Sequence, residues 1–289
     1  MACRKFTEGS KVLCKIGACG VTGAVSFAAL VKLDGTVKHV KEEVPIEEFN
    51  EETEEWEIIG YETIEREEAP GLERGSMVSA LDSAKTNPGS FYDFQVEGGK
   101  LEIFRSGASR EIEVKPYGDI WALFFGTKTG GEAKAKLYAY RFDTKTLVGP
   151  VEGVGAIKDA AANVGGFINL GQWGSGEQLR GLGAALAVWS KVLTKTEIEE
   201  LTAATYLEQW LTKTPVGYWD FRQTSLAEKV LDQTGNGADQ IELAGTELSA
   251  EKPPIPYTKA EAEEGKGGGG SSGTNGRALS RCCNPIVNP

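Results

Sequence analysis

The sequence is poor in the residues most often used for catalysis. It has one histidine, His39, so an imidazole-centred triad has a single possible centre. His39 lies in a polar stretch beside a run of acids, the setting of a surface residue. G-x-S-x-G occurs only as Gly269 to Gly273 within a Gly/Ser-rich stretch and not as a strand-turn-helix elbow, and there is no G-x-x-x-x-G-K-[ST] loop, so nucleotide hydrolysis has no support. No apolar run approaches the ~18 residues of a membrane-spanning helix. The opening MACRKFTEGSKVLCKIGACG lacks the apolar core of an export signal, so no such signal is expected. A net charge of −11 argues against binding a nucleic-acid backbone. The five cysteines are Cys3, Cys14, Cys19, Cys282 and Cys283, all near the ends. Cys14-x4-Cys19 has no partner pair and no nearby histidine, which disfavours zinc. Free or buried thiols are one reading, and a bridge between the tail and the N-terminal strand is the other.

What is present reads as strands. Phe167, Asn169, Gly171 and Trp173 alternate with Ile168, Leu170 and Gln172, the period of a strand. Leu182 to Trp189 is uncharged and rich in Ala and Leu, which suits a strand buried on both faces. Thr194 with Glu197 three residues later forms a capping box, so a short helix is expected near 194–211. Val25 to Leu33, Phe91 to Val96, Lys100 to Phe104, Ile120 to Gly126 and Lys136 to Phe142 are further strand candidates. Glu97-Gly-Gly99 marks a hairpin turn. The glycines at 149, 153 and 155 read as a loop. Pro215 to Phe221 reads as a strand and Leu231 to Asp239 as a tight loop, either adding to the same sandwich or opening a truncated second copy. About 45 residues are too few for a second sandwich, so one domain over 1–257 is expected. Residues 258–289 read as a Gly/Ser-rich linker and tail, with EAEEGKGGGGSSGTNG flexible by composition.

Residues 41–75 stand apart. They hold fourteen glutamates against Lys41, Arg66 and Arg74, a surplus of eleven that equals the net charge of the whole chain. With Trp56, Ile58, Ile59, Tyr61 and Ile64 among them, they suggest a hairpin turning at Gly60 or a strand pair extending from the sandwich. The segment is either a solvated, self-repelling insertion or a docking surface for a basic partner or a divalent cation.

Several of these stretches together resemble concanavalin A-like, laminin-G-like jelly rolls. They are Ala187, Val188, Trp189, Lys191, Leu193, Thr194, Glu197 and Ile198 at a closing strand and helix, the Phe27 to Leu33 strand, and Trp121, Gly130, Gly131, Leu137 and Tyr138. The segment YWDF, the later loop DQTGNGAD and the Gly/Ser-linked tail add a resemblance to proteins of tailed bacteriophages. The resemblance implies an all-β sandwich and a non-enzymatic virion protein, a capsid decoration or a minor tail protein. The expected partners are other virion proteins or a second copy, and a host-surface glycan. Contact residues would be Glu51, Glu54, Trp56, Cys282 and Cys283. The alternative is a soluble calcium-dependent lectin, with Trp173, Trp189 and Trp219 against sugar and Asp232, Asn236 and Asp239 around Ca²⁺. No other cofactor is expected. A glycoside hydrolase is the third reading, and the E-x-D-x-x-E strand of that class is absent from the strand candidates.

Overall fold

The computed structural model describes residues 3–7, 10–15, 23–50, 53–81, 92–105, 107–159, 167–173 and 177–267. Cys19, Glu51, Cys282 and Cys283 lie outside them. The strands in chain order are β1 (Cys3–Phe6), β2 (Lys11–Lys15), β3 (Val25–Leu33), β4 (Lys38–Asn50), β5 (Glu55–Glu68), β6 (Arg74–Leu81) and β7 (Asp93–Glu97). There follow β8 (Lys100–Phe104), β9 (Ala108–Glu113), β10 (Trp121–Lys128), β11 (Lys136–Arg141), β12 (Thr146–Glu152) and β13 (Phe167–Leu170). The last are β14 (Gln172–Trp173), β15 (Glu177–Gln178), β16 (Gly181–Trp189), β17 (Gly217–Asp220), β18 (Gln240–Ala244) and β19 (Glu247–Ser249). The helices are α1 (Pro70–Glu73), α2 (Lys195–Thr202) and α3 (Lys259–Gly267), with a 3₁₀ segment over Leu207–Lys213.

Two sheets pack face to face, as the sequence leads one to expect. The first runs β12-β11-β10-β3-β16-β1-β19, with β17 also on β16. The second runs β18-β2-β13-β6-β7-β8-β9. Neighbours distant in sequence, such as β3 with β16 and β2 with β13, tie the ends of the chain into both sheets. The late strands β17, β18 and β19 pair with β16, β2 and β1, so they complete this sandwich and begin no second one. Between the sheets lie Phe27, Ala29, Val31, Phe94, Ile103, Phe124, Leu186 and Trp219.

The central strands of the first sheet carry apolar side chains on both faces, so both faces need cover. Phe27, Ala29 and Val31 point into the sandwich. Ala28 and Leu30 point outward, with Leu123, Phe125, Ala187 and Trp189 from the neighbouring strands. The segment after β16 covers that outer face. Thr194 caps α2 through the capping box with Glu197, and Ile198 and Leu201 on its buried face pack with Leu207, Trp210 and Tyr257 over the sheet. The chain returns at Pro256 and Tyr257, whose carbonyls accept from the amides of Leu207 and Glu208.

Three local outcomes differ from the sequence reading. Residues 146–152 form edge strand β12 rather than a loop, where Pro150 is tolerated because an edge strand has unpaired amides to spare. Lys259–Gly267 is a helix rather than linker, started by Thr258 and Glu261 bonding each other's backbone amides. Gly60 is a strand residue, opposite Ile46, and the hairpin turn lies between Asn50 and Glu55.

Trp189 is fully buried on the outer side of its sheet. Trp189→Ala is expected to cost about 3–5 kcal/mol in urea unfolding. A loss below ~1 kcal/mol would mean that the helical cover does not pack on the sheet.

Candidate functional site

The acidic segment forms a separate two-stranded sheet, β4 with β5, paired from Lys38↔Glu68 to Asn50↔Glu55. At about 3.4 Å per residue its 13-residue strand is ~44 Å long. Its root is built on tight backbone contacts. Asp34 Oδ1 accepts from Thr36 N, and Asp119 Oδ1 accepts from Gly35 N. A Cβ on Gly71 would meet the Asp34 carbonyl at 2.3 Å, so that position requires glycine, while one on Gly35 would meet Asp119 Oδ2 at 2.6 Å and displace that side chain. At the tip, Asn50 Oδ1 accepts from Thr53 N, and Glu54 takes a left-handed backbone (φ 57°).

Cross-strand pairs place Phe49 with Trp56, Glu47 with Ile58 and Pro45 with Tyr61 on one face, and Glu42 with Ile64 on the other. A bulge between Ile46 and Glu47 leaves Ile59 unpaired. Phe49 and Trp56 touch, with ring centroids 5.5 Å apart, yet Trp56 is 67% exposed, Tyr61 63% and Ile59 60%. Residues 38–68 carry thirteen glutamates against Lys38, Lys41 and Arg66, hence ten of the chain's eleven net negative charges. The ion pairs Lys41–Glu65, Arg66–Glu42 and Arg66–Glu68 are all partly or largely exposed and add little stability. Among the described residues the ribbon pairs with neither sheet, and its large apolar groups stand in water.

The residues suited to a calcium lectin sit elsewhere. Trp219 is fully buried between the sheets, its Nε1 donating to the Ala238 carbonyl at 2.8 Å, and Trp189 is buried under the helical cover. Neither offers a face to a sugar, because strand alternation turns each into a core. Trp173 belongs to β14, paired with Glu177. Asp232 organises its own loop: Oδ1 accepts from Tyr218 N and Thr234 N, and Oδ2 from Thr234 Oγ1 and Ala238 N. Asp239 Oδ1 accepts from Asp232 N, and Asn236 donates to the Val216 carbonyl. These groups are spent on backbone amides and carbonyls, and no cluster of three metal-ligating side chains occurs among the described residues. The loop therefore acts as a clasp for β17, a role that its Asp, Thr, Asn and Gly composition also fits.

A polar group unrecognised in the sequence lies on the outer side of the second sheet. Phe94, Val96, Leu101 and Ile103 point into the sandwich, so Asp93, Gln95 and Glu102 point away from it. All three are buried all the same. Asp93 Oδ1 accepts from Ser76 Oγ at 2.6 Å and Ser79 Oγ at 2.8 Å, while Asp93 Oδ2 has no hydrogen-bond partner among the described residues. Gln95 Nε2 donates to Glu102 Oε1, and Arg110 pairs with Glu102 Oε2 at 2.9 Å. Burial pushes the Asp93 carboxyl up to about 7 against the two serine bonds, with Glu102 and Glu97 adding to the rise. Burial also raises Glu102, which Gln95 and Arg110 oppose. Asp220, buried under the helical cover, is raised to about 6 by burial, against the pull of Arg222.

A raised carboxyl holds its proton in the folded state, so its contribution to stability is present below pH ~4 and falls as pH climbs through the folded value. Stability is therefore expected to decline between pH 4 and 8, and Asp93→Asn to flatten the part above pH 5. Thermal melts of both proteins across that range check this, and parallel profiles would refute it. Millimolar Ca²⁺ is expected to leave the melting temperature unchanged, while Asp232→Ala lowers it with or without Ca²⁺.

No protein-family model matches the sequence, and no curated protein matches it. Among solved structures, the chain is similar to a candidate carbohydrate-binding protein from Bacteroides ovatus, at 11% identity and a TM-score of 0.48. That match covers 89% of this chain and 61% of the other. It is similar to domains LG4-5 of the mouse laminin α1 chain, at 10% identity and a TM-score of 0.37, covering 67% of this chain and 43% of that one. It is also similar to a heptameric SAP-like pentraxin from Limulus polyphemus, at 11% identity and a TM-score of 0.31, covering 86% and 88%. The chain thus spans less than two thirds of the first two.

Proposed function

We propose that this protein is a non-enzymatic structural module that works by protein–protein contact through its acidic arm. The observation that carries the reading is the arm itself: ten net negative charges and exposed Phe49, Trp56, Ile58 and Tyr61 on a ribbon that packs on neither sheet. A rigid sandwich buried on both faces of one sheet supplies the platform. The setting implied by the sequence resemblance is a virion, as a capsid decoration or minor tail protein, and the arm gives such a protein its means of attachment.

A second reading, glycan binding, draws on one specific observation. Asp93 Oδ2, Gln95 Oε1 and Asn169 Oδ1 are buried acceptors without a hydrogen-bond partner among the described residues, on the outer side of the second sheet. Sugar hydroxyls are the complementary donors. The group is closed to solvent, so this reading needs the face to open. Retention on a polysaccharide column, lost in Asp93→Ala and unaffected by EDTA, would support it.

Replacing residues 40–66 by Asn-Gly joins the paired ends His39 and Glu67 with a two-residue hairpin turn. The sandwich is expected to melt within a few degrees of the parent, and incorporation into particles from the native source to fall more than tenfold, read by immunogold microscopy. Undiminished incorporation would sink the arm as the contact element, and absence of label on any particle would sink the virion setting.

A further inference from the structure

We propose that the outer edge of β5 is a docking site for an extended basic segment of another protein, which adds to the acidic arm as a third strand. The proposal rests on the reading of the arm as a contact surface and names the partner's chemistry and its way of binding. Three observations select the edge and its occupant. The first is the open backbone. Among the described residues, the ribbon of β4 and β5 pairs with no further strand. Each strand of such a ribbon turns alternate amides and carbonyls away from its partner. Pro45 identifies which residues do so. It has no amide hydrogen, so in the Pro45↔Tyr61 pair the backbone groups point away from each other, toward the two outer edges. The outward row of β4 is thus broken at Pro45, where a donor is missing. The outward row of β5 holds Tyr61, Thr63, Glu65 and Glu67, each with an amide, in unbroken register with β4.

The second is charge. β5 carries six glutamates against the single cation Arg66, and Glu55, Glu57, Glu62, Glu65 and Glu67 are all exposed. Pairing the β5 edges of two copies would set glutamates beside glutamates, which is destabilising. That repulsion guards the edge against self-association. A strand bearing lysine or arginine reverses the sign of every one of those pairs, so the same charge that rejects a second copy accepts a basic partner. The third is apolar content. Trp56, Ile58, Tyr61 and Ile64 are exposed along the same strand, Ile64 on the face opposite to the other three. A neighbouring strand meets each of them across the ladder, so aliphatic residues among the lysines cover them, and lysine stems lie along the rings of Trp56 and Tyr61.

The probe is an end-blocked synthetic peptide of alternating lysine and valine, about ten residues long. Its control is the same peptide N-methylated at one central lysine and the adjacent valine, so that each of its two edges lacks a donor. With the full chain at low salt, the first peptide is expected to bind and to be released as salt is raised. The N-methylated peptide is expected to bind at least tenfold more weakly. Residue-resolved amide hydrogen exchange is expected to slow at Tyr61, Thr63, Glu65 and Glu67 when the first peptide is present, and to stay as it was at His39, Lys41 and Glu43 on the other edge. Thr63→Pro removes one outward donor and no inward one, and is expected to weaken binding about tenfold. The double reversal Glu62→Lys and Glu67→Lys is expected to do the same. Absence of binding, equal binding of the two peptides, or protection on the β4 edge instead would overturn the proposal. The particle assay separates its failure from that of the wider reading: a Thr63→Pro chain that enters particles as the parent does, while the arm-shortened chain does not, leaves the arm a contact surface that works without strand addition.

Discussion

The central strands β3, β10 and β16 carry apolar side chains on both faces, and the rest of the architecture answers to that. One face is satisfied by the second sheet. The other would expose Leu30, Leu123, Phe125 and Trp189 to water, at roughly 1.5–3 kcal/mol for each large side chain. The capped helix α2, the 3₁₀ segment and the returning Tyr257 remove that surface. The helices are thus a third layer of the sandwich.

Charge is distributed as unevenly as burial. The body is close to neutral, while the arm holds nearly all the net charge. Segregation of this kind lets the sandwich pack without self-repulsion and leaves the arm soluble despite its exposed aromatic and aliphatic groups. If the arm is the contact surface proposed above, the same segregation makes it selective, since a partner has to be basic as well as apolar to gain from covering it. The inward-turned polar groups obey the opposite rule. Asp93 Oδ1, Gln95 Nε2 and both oxygens of Asp232 are committed to neighbouring hydroxyls, a carboxylate or the backbone.

Much of this was legible in the residues. Alternation in Lys136 to Phe142 and the unbroken apolar run Leu182 to Trp189 located strands and the doubly buried one among them. Thr194 and Glu197 announced a helix start, and the Gly-Gly turn at 98–99 a hairpin, both glycines taking positive φ. Of the two readings of the arm, the strand pair agrees with the structure and a turn at Gly60 does not: Gly60 is the strongest local turn residue, but cross-strand contacts, Phe49 on Trp56 among them, set the register. The polar group around Asp93 went unseen for a related reason. The alternation of Asp93 and Gln95 with Phe94 and Val96 is the same for a wet face as for a covered one.

The sequence by itself determined the β class, the strand periods, the capped helix and the concentration of charge in one segment. Each of these depends on residues within a few positions of one another. Tertiary structure alone decided that Trp189 and Trp219 face cores rather than ligand, that Asp232 ties its own loop, and that the acidic strands stand clear of both sheets. The physical reason is that a two-residue period assigns a side chain to a face, while what stacks on that face comes from segments up to two hundred residues away.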